Sequence, residues 1–176
     1  MMPSKFSLTE AQKEQVIEST NAYVEKACES LNINLASINV RFDLSGKSSG
    51  MFVVRQGKAH IRYNEIIFSR YFEDSVINTV AHEVAHYVVY SIHRWKRVKP
   101  HGAEWKSIMS IFGVPAEVTG KYDISSLPLR QQRRHDYRCE CMSHQLTTTR
   151  HNKVQNKKAV YHCKKCMQPL KYDCKA

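Results

Sequence analysis

The sequence lacks any long apolar run, and acidic residues are scarce in it. No stretch of about 18 uncharged apolar residues occurs in the 176 residues, which excludes a membrane-spanning helix. The first 15 residues contain no secretory apolar segment, so we expect a cytoplasmic protein whose thiols stay reduced. Only 16 residues are Asp or Glu against 27 Lys or Arg, which gives a formal net charge of +11.

Cysteine is nearly absent from the first part of the chain and concentrated in the last. Residues 1–129 contain one cysteine, Cys28, with 15 basic against 13 acidic residues. Residues 130–176 contain the other five cysteines, with 12 basic against three acidic residues. This shift predicts two domains, 1–129 and 130–176, and the basic second domain is expected to contact DNA. Where thiols stay reduced, clustered cysteines indicate metal ligands rather than disulfides.

Residues 1–129 show the patterns of an α+β fold. The sequence from Ser7 to Glu10 has the form of a capping box, and a helical pattern follows to about Leu31. Short β-type runs come next, at residues 38–42, 51–55 and 59–63. Because no long βαβ alternation is present, these runs favour a small antiparallel sheet.

A second helical pattern contains two histidines four residues apart, His82 and His86. It is expected to be capped by Asp74 or Ser75 and to run to about Ile92. One arc of this helix is apolar and is predicted to face the core: Val76, Ile77, Val80, Val84, Tyr87 and Val88. His82 and His86 project from the opposite side. A shorter helix is predicted to end at Gly113.

The segment His82-Glu83-Val84-Ala85-His86 has the form H-E-x-x-H. Two histidines four residues apart on a helix can bind one Zn²⁺ from the same side. The intervening Glu83 is placed to take a proton from a water on that metal and to act as a general base in carbonyl hydrolysis.

A catalytic zinc needs a third protein ligand and an open position. The metzincin pattern is excluded because Val89 and Ile92 stand where it requires Gly and His. His101 is the preferred third ligand, since the adjoining Pro100 and Gly102 allow the chain to turn back toward the helix. The alternatives are Glu104, as a carboxylate ligand, and more remotely His60 or His135.

The arrangement of these motifs resembles the SprT family of zinc metalloproteases, which includes the eukaryotic protease Spartan. His82-Glu83-Val84-Ala85-His86, followed by His101-Gly102-Ala103-Glu104-Trp105, carries the resemblance, and the cysteines of the tail resemble the zinc ribbon of bacterial members. The resemblance implies a zincin-like catalytic domain with zinc on His82, His86 and His101 and with Glu83 catalytic. It also implies cleavage of DNA-bound proteins, the activity of the eukaryotic members.

A second zinc, with a structural role, is predicted in residues 130–176. Five side chains compete for its four positions: Cys139, Cys141, His144, Cys163 and Cys166. Cys163 and Cys166 have the spacing of a zinc knuckle, whereas one residue between Cys139 and Cys141 is an unusually short gap. We rank the four cysteines first, with His144 in place of Cys139 or Cys141 as the alternative. Cys174 is expected to be a free thiol.

Basic residues of the same segment are the candidates for contact with DNA phosphates: Lys153, Lys157, Lys158, Lys164 and Lys165. Tyr137, Tyr161 and Tyr172 either stack on unpaired bases or pack around the knuckles. A further basic group, in residues 94–99, lies between the second and third proposed zinc ligands. It either attracts DNA toward the catalytic face or forms a lid with no partner.

Three functions fit these patterns. The first is a zinc-dependent endopeptidase that acts on DNA-associated proteins, with Glu83 as general base. The alternative is a non-proteolytic, zinc-containing nucleic-acid-binding protein, which the basic tail favours. A hydrolase of small peptides, independent of DNA, is the third. The expected partners are a protein substrate and DNA, with no membrane.

Overall fold

A computed structural model of the chain describes residues 6–118, 122–129 and 133–173. The chain divides into two compact units, residues 1–129 and 130–176; the first has a sheet and several helices, and the second has a sheet and one described helix. Cys174, predicted to be a free thiol, lies outside the described residues. The architecture is mixed α and β in both units.

The first helix, α1, spans Glu10–Leu31. Its capping box is formed by Thr9 and Gln12: Oγ1 of Thr9 accepts from the N–H of Gln12 (3.2 Å), and Oε1 of Gln12 accepts from the N–H of Thr9 (3.0 Å). The box predicted to begin at Ser7 is therefore wrong. The Ser7 hydroxyl donates instead to the carboxylate of Glu65 (3.0 Å), a tertiary contact that the local pattern does not reveal.

Three strands form the sheet of the first unit: β1 (Asn39–Arg41), β2 (Gly50–Arg55) and β3 (Lys58–Tyr63). β2 and β3 form an antiparallel hairpin, but β3 lies between β1 and β2 and pairs with β1 in parallel. The prediction of an antiparallel sheet is thus wrong for one of its two pairings. The chain reverses direction at each connection, so the first and third strands run the same way, and they pair in parallel because they are neighbours.

Four helices follow: α2 (Glu65–Arg70), α3 (Phe72–Asp74), α4 (Val80–Ile92) and α5 (Ala103–Phe112). A π turn at Ser75–Thr79 joins α3 to α4, so the cap predicted at Asp74 or Ser75 is wrong because the chain is already helical there. The wider π turn also shifts the helical phase, and Ile77, predicted to face the core, is exposed. Within the described residues, no helix has both the length and the apolar character needed to cross a membrane.

The hydrophobic core of the first unit lies among α1, α4, α5 and the sheet. Val80, Val84 and Val88 of α4 are fully buried in it, as the helical period predicts. Trp105 of α5 and Tyr63 of β3 are its largest fully buried side chains. His82 and His86, on another face of α4, are only half-buried. The core therefore fixes α4 while leaving its histidine face accessible.

The second unit contains an antiparallel sheet and one helix: β4 (Arg134–Arg138), β5 (Ser143–Thr147), α6 (Thr148–Gln155) and β6 (Lys171–Tyr172). The strand order is β5-β4-β6. Within residues 133–173, the buried apolar side chains are Tyr137, Leu146 and Cys163. The Tyr137 hydroxyl lies 3.0 Å from Nδ1 of His151, whose ring stacks on His135 at 3.8 Å. This interior is very small for a unit of its length.

Candidate metal centres

Three imidazoles converge in the first unit. The Nε2 atoms of His82, His86 and His101 lie 3.1–3.2 Å from one another. Nitrogen ligands of a tetrahedral zinc ion at about 2.0–2.1 Å are themselves about 3.3 Å apart. The nitrogen atoms therefore fit a single ion of that size, and the group leaves one side open.

Two different features of the chain bring these rings together. His82 and His86 stand one turn apart on α4, so the helix itself sets their separation. His101 comes from the segment between α4 and α5, where the N–H of Gly102 donates to the carbonyl oxygen of Lys99 (2.9 Å). That turn, next to Pro100, returns the His101 side chain to the helix.

Trp105 supports all three rings. Its indole lies 4.8 Å from the rings of His82 and His101 and 5.8 Å from that of His86, and its Nε1 donates to the carbonyl oxygen of His82 (3.3 Å). The side chain is fully buried. We did not predict this supporting role, although Trp105 stands four residues after His101, on the first turn of α5.

Burial keeps two of the histidines, His82 and His86, neutral. Burial, and secondarily the electrostatic interaction with His101, lowers the pKa of His82 to about 4, while a hydrogen bond to the backbone of Glu117 acts in the opposite direction. Burial, and secondarily the electrostatic interactions with His82 and His101, lowers the pKa of His86 to about 3. Neutral imidazole is the form that binds metal, so these ligands are ready to bind at neutral pH.

Glu83 lies beside the histidines but is buried against β2. Its Oε2 accepts a hydrogen bond from the N–H of Phe52 (2.7 Å). Burial raises the pKa of Glu83 to about 7, and the Phe52 hydrogen bond partly offsets that rise. A Cβ at Gly50 would lie 2.6 Å from Cγ of Glu83 and 2.8 Å from Cγ2 of Thr79, so only glycine fits there. The sequence patterns indicated neither Gly50 nor the Phe52 amide.

A cleft crosses the histidine centre. Two cavities, of about 710 and 620 Å³, share Gly50, His82 and Glu83 in their walls. In the wall of the larger cavity, the Tyr122 hydroxyl donates to Oδ2 of Asp74 (2.6 Å). The cleft is open along its length and contacts the edge strand β2, a shape suited to an extended chain.

The rival third ligands lie elsewhere. The metal-ligand group found among the described residues of the first unit contains His101 and not Glu104, whose side chain is exposed on α5. His60 is on β3, in the middle of the sheet. His135 is in the second unit, stacked on His151.

The second candidate metal centre is a cluster of four cysteines. The Sγ atoms of Cys139, Cys141, Cys163 and Cys166 all lie within 4.8 Å of one another. His144 is adjacent, with Nε2 3.3 Å from Sγ of Cys139. A tetrahedral site takes four ligands, and these four sulfur atoms are close enough together to supply them, which is consistent with zinc.

The predicted DNA-contacting residues of the second unit differ in accessibility. The five lysines are all exposed: Lys153, Lys157, Lys158, Lys164 and Lys165. Tyr137 is fully buried and so belongs to the small core, whereas Tyr172 is 42% exposed. The Tyr161 ring lies beneath the guanidinium of Arg150, at 5.5 Å.

These features define a class: a mixed α and β protein with one three-histidine group and one four-cysteine cluster, each able to hold a metal ion. Comparison with known proteins makes the class specific. The profile of the SprT-like family matches residues 14–123, and the chain belongs to this family. The resemblance read from the H-E-x-x-H segment is thereby confirmed.

Relatives extend the match beyond the first unit. The chain is 37% identical to Protein SprT of Vibrio parahaemolyticus over 135 residues, 76% of this chain and 78% of the relative. It is 33% identical to Protein SprT of Actinobacillus succinogenes over 166 residues, 92% of this chain and 94% of the relative. A match of that length necessarily includes much of residues 130–176. Both units are therefore shared with that relative.

Proposed function

We propose that this protein is a zinc-dependent endopeptidase that acts on DNA-associated proteins. The observation that carries the proposal is the convergence of three Nε2 atoms within 3.2 Å, with the carboxylate of Glu83 lining the same cleft. Family membership and the exposed lysines of the second unit support it.

The residues of the cleft have distinct roles in this proposal. His82, His86 and His101 would hold the zinc ion. A bound zinc supplies Lewis acidity, which polarises the peptide carbonyl and acidifies water. Glu83 accepts the proton of the attacking water and returns it to the departing amine nitrogen, so that one carboxylate serves both steps. Oε1 is the oxygen available for this work, because Oε2 is held by the Phe52 amide.

The second unit supplies the link to DNA. Its twelve basic residues against three acidic ones favour polyanions, and the five exposed lysines named above would contact phosphates. Such binding is independent of base sequence and weakens as salt is raised. A protease tethered in this way meets proteins that are themselves on DNA.

The test is proteolysis by the full chain with measured zinc content. A DNA-binding protein substrate is incubated with the wild-type chain or with Glu83→Gln, with and without DNA. We expect cleavage to fall by about 10²–10⁴-fold in Glu83→Gln while the zinc content is unchanged. Glu104→Gln is the matched control, since Glu104 is exposed and outside the histidine group, and it should cleave normally.

The alternatives make different predictions in the same experiment. A non-proteolytic nucleic-acid-binding protein would bind DNA and cleave nothing. A hydrolase of small peptides would cleave short substrates without any effect of DNA. Cleavage by Glu83→Gln at the wild-type rate would overturn the mechanism.

A further inference from the structure

The segment between α4 and His101 presents an exposed tryptophan among cations. We call residues 93–100 the basic–aromatic loop. The Trp95 side chain is 96% exposed, the highest value among the exposed large hydrophobic side chains that the structure describes. The N–H of Lys96 donates to the carbonyl oxygen of His93 (2.9 Å), which closes a turn with Arg94 and Trp95 at its tip. The turn therefore holds the indole out into solvent.

The charge around this indole has one sign. Arg94, Lys96, Arg97 and Lys99 are all exposed, and no Asp or Glu occurs between Glu83 and Glu104. Among the described residues, none of the ion pairs involves these four cations. An isolated exposed hydrophobic residue is ordinary on a protein surface, but one set among four cations is a combined aromatic and anion-binding surface.

The loop also lies at the catalytic cleft. Arg94, Lys96 and Lys99 line the 620 Å³ cavity together with His86 and His101. Whatever binds the loop is thus held at the rim of the histidine centre.

We infer that the basic–aromatic loop binds single-stranded DNA, with Trp95 stacking on an unpaired base and the neighbouring cations on phosphates. Only a single strand offers both the face of a base and the backbone charge to one short loop, because a duplex hides its bases. A bilayer surface is a poorer match, since the side chains around Trp95 are charged rather than apolar. The choice of DNA rests on the proposed function.

The two tryptophans of the chain allow a direct test. Trp95 is exposed and Trp105 is fully buried, and residues 130–176 contain no tryptophan. The full-length Glu83→Gln chain is titrated with oligothymidylate of about 15 nucleotides while tryptophan emission is recorded. We expect quenching of the exposed, red-shifted emission, and its loss in Trp95→Phe that also carries Glu83→Gln. DNA bound only by the second unit would leave the emission unchanged.

Affinity measured by anisotropy of a labelled oligonucleotide provides the second readout. In the Glu83→Gln chain, Trp95→Ala should weaken binding about tenfold. Arg97→Ala should reduce the slope of the logarithm of the binding constant against the logarithm of the salt concentration by about one. The controls are Ile77→Ala, which removes another exposed apolar side chain, and Lys58→Ala, which removes a cation at the β2–β3 hairpin. Neither control should change the affinity.

Several outcomes would overturn the inference. Equal quenching by a duplex of the same length would show recognition of phosphates alone, and tighter binding of oligouridylate would replace DNA with RNA. A blue shift with vesicles of phosphatidylserine and phosphatidylcholine, without any response to DNA, would identify a membrane surface. Unquenched Trp95 in a chain whose wild type still cleaves protein refutes the loop's role and leaves the proposed function standing. Quenching of Trp95 in a chain whose wild type cleaves no protein would support the role of the loop and overturn the proposed function.

Discussion

The two units hold their candidate metal ligands in opposite ways. In the first, three histidines stand at the edge of a large apolar core, and fully buried Trp105 packs beneath them. In the second, four cysteines lie close together in a unit whose buried apolar side chains, among residues 133–173, are Tyr137, Leu146 and Cys163. We therefore expect the first fold to persist without a metal ion. We expect the second to need an ion on its four cysteines in order to fold.

Removal of zinc should separate the units most clearly. Structural zinc contributes about 10–16 kcal/mol to small domains, far more than so small a core supplies. After chelation we expect hydrogen exchange followed by mass spectrometry to show loss of protection in residues 133–173 and retained protection in α1, α4 and α5. Continued protection of residues 133–173 after verified zinc removal would contradict the expected metal dependence of the second unit.

A pair of cysteine variants checks that the effect comes from the cluster. Cys163→Ser should lower the zinc content by one equivalent per chain and unfold the second unit. Cys28→Ser is the matched control, because Cys28 packs against the core of the first unit and lies outside the cluster. It should retain both the zinc content and the protection of residues 133–173.

Trp105→Ala should lower the stability of the first unit alone. Loss of a fully buried tryptophan destabilises a core by about 3–5 kcal/mol, and here it also removes the support of three histidine rings. Urea denaturation followed by circular dichroism measures the change. Trp95→Ala, in which the lost ring is 96% exposed, should change stability by less than about 0.5 kcal/mol. Equal destabilisation by the two variants would contradict the structure.

Gly50→Ala tests how closely β2 approaches the carboxylate of Glu83. The new methyl group would overlap Cγ of Glu83 and Cγ2 of Thr79, so we expect a loss of about 1–3 kcal/mol in stability. Displacement of Glu83 should also lower cleavage at least about tenfold, with zinc content unchanged. Val54→Ala, a change at an exposed position of the same strand, should do neither. Full activity in Gly50→Ala would show that the carboxylate position is not critical.

The smallest effect is expected at His144. If it donates a hydrogen bond to the thiolates, His144→Ala should weaken zinc binding only about tenfold and leave the spectrum of the cobalt-substituted site that of four sulfur ligands. Cys139→Ser should change that spectrum. A spectrum altered by His144→Ala but not by Cys139→Ser would make His144 the ligand.

The elements of the site that depend on local periodicity were predictable. The spacing of His82 and His86 follows from helical geometry, and the turn-forming neighbours of His101 indicated that the chain returns there. The parallel pairing of β1 with β3 was not predictable, because the order of strands in a sheet is set by tertiary packing rather than by the pattern of any one strand.

Contacts made by the backbone were also beyond sequence patterns. The Ser7 capping box failed because Glu65, 58 residues away, binds the Ser7 hydroxyl. Gly50 and the Phe52 amide act on Glu83 through a close approach of β2 to α4, and their own residue types carry no motif for it. Long-range contacts of this kind appear only once the fold is known.

The hydrogen bond from the Phe52 amide to Glu83 does not depend on which side chain position 52 carries. The contact uses a main-chain amide, which every residue except proline supplies. The Met51 side chain is exposed and lines the cleft beside the histidines, so it can change without removing that amide. If the protein is the endopeptidase proposed above, its substrate preference can change at this strand while the position of Glu83 is kept.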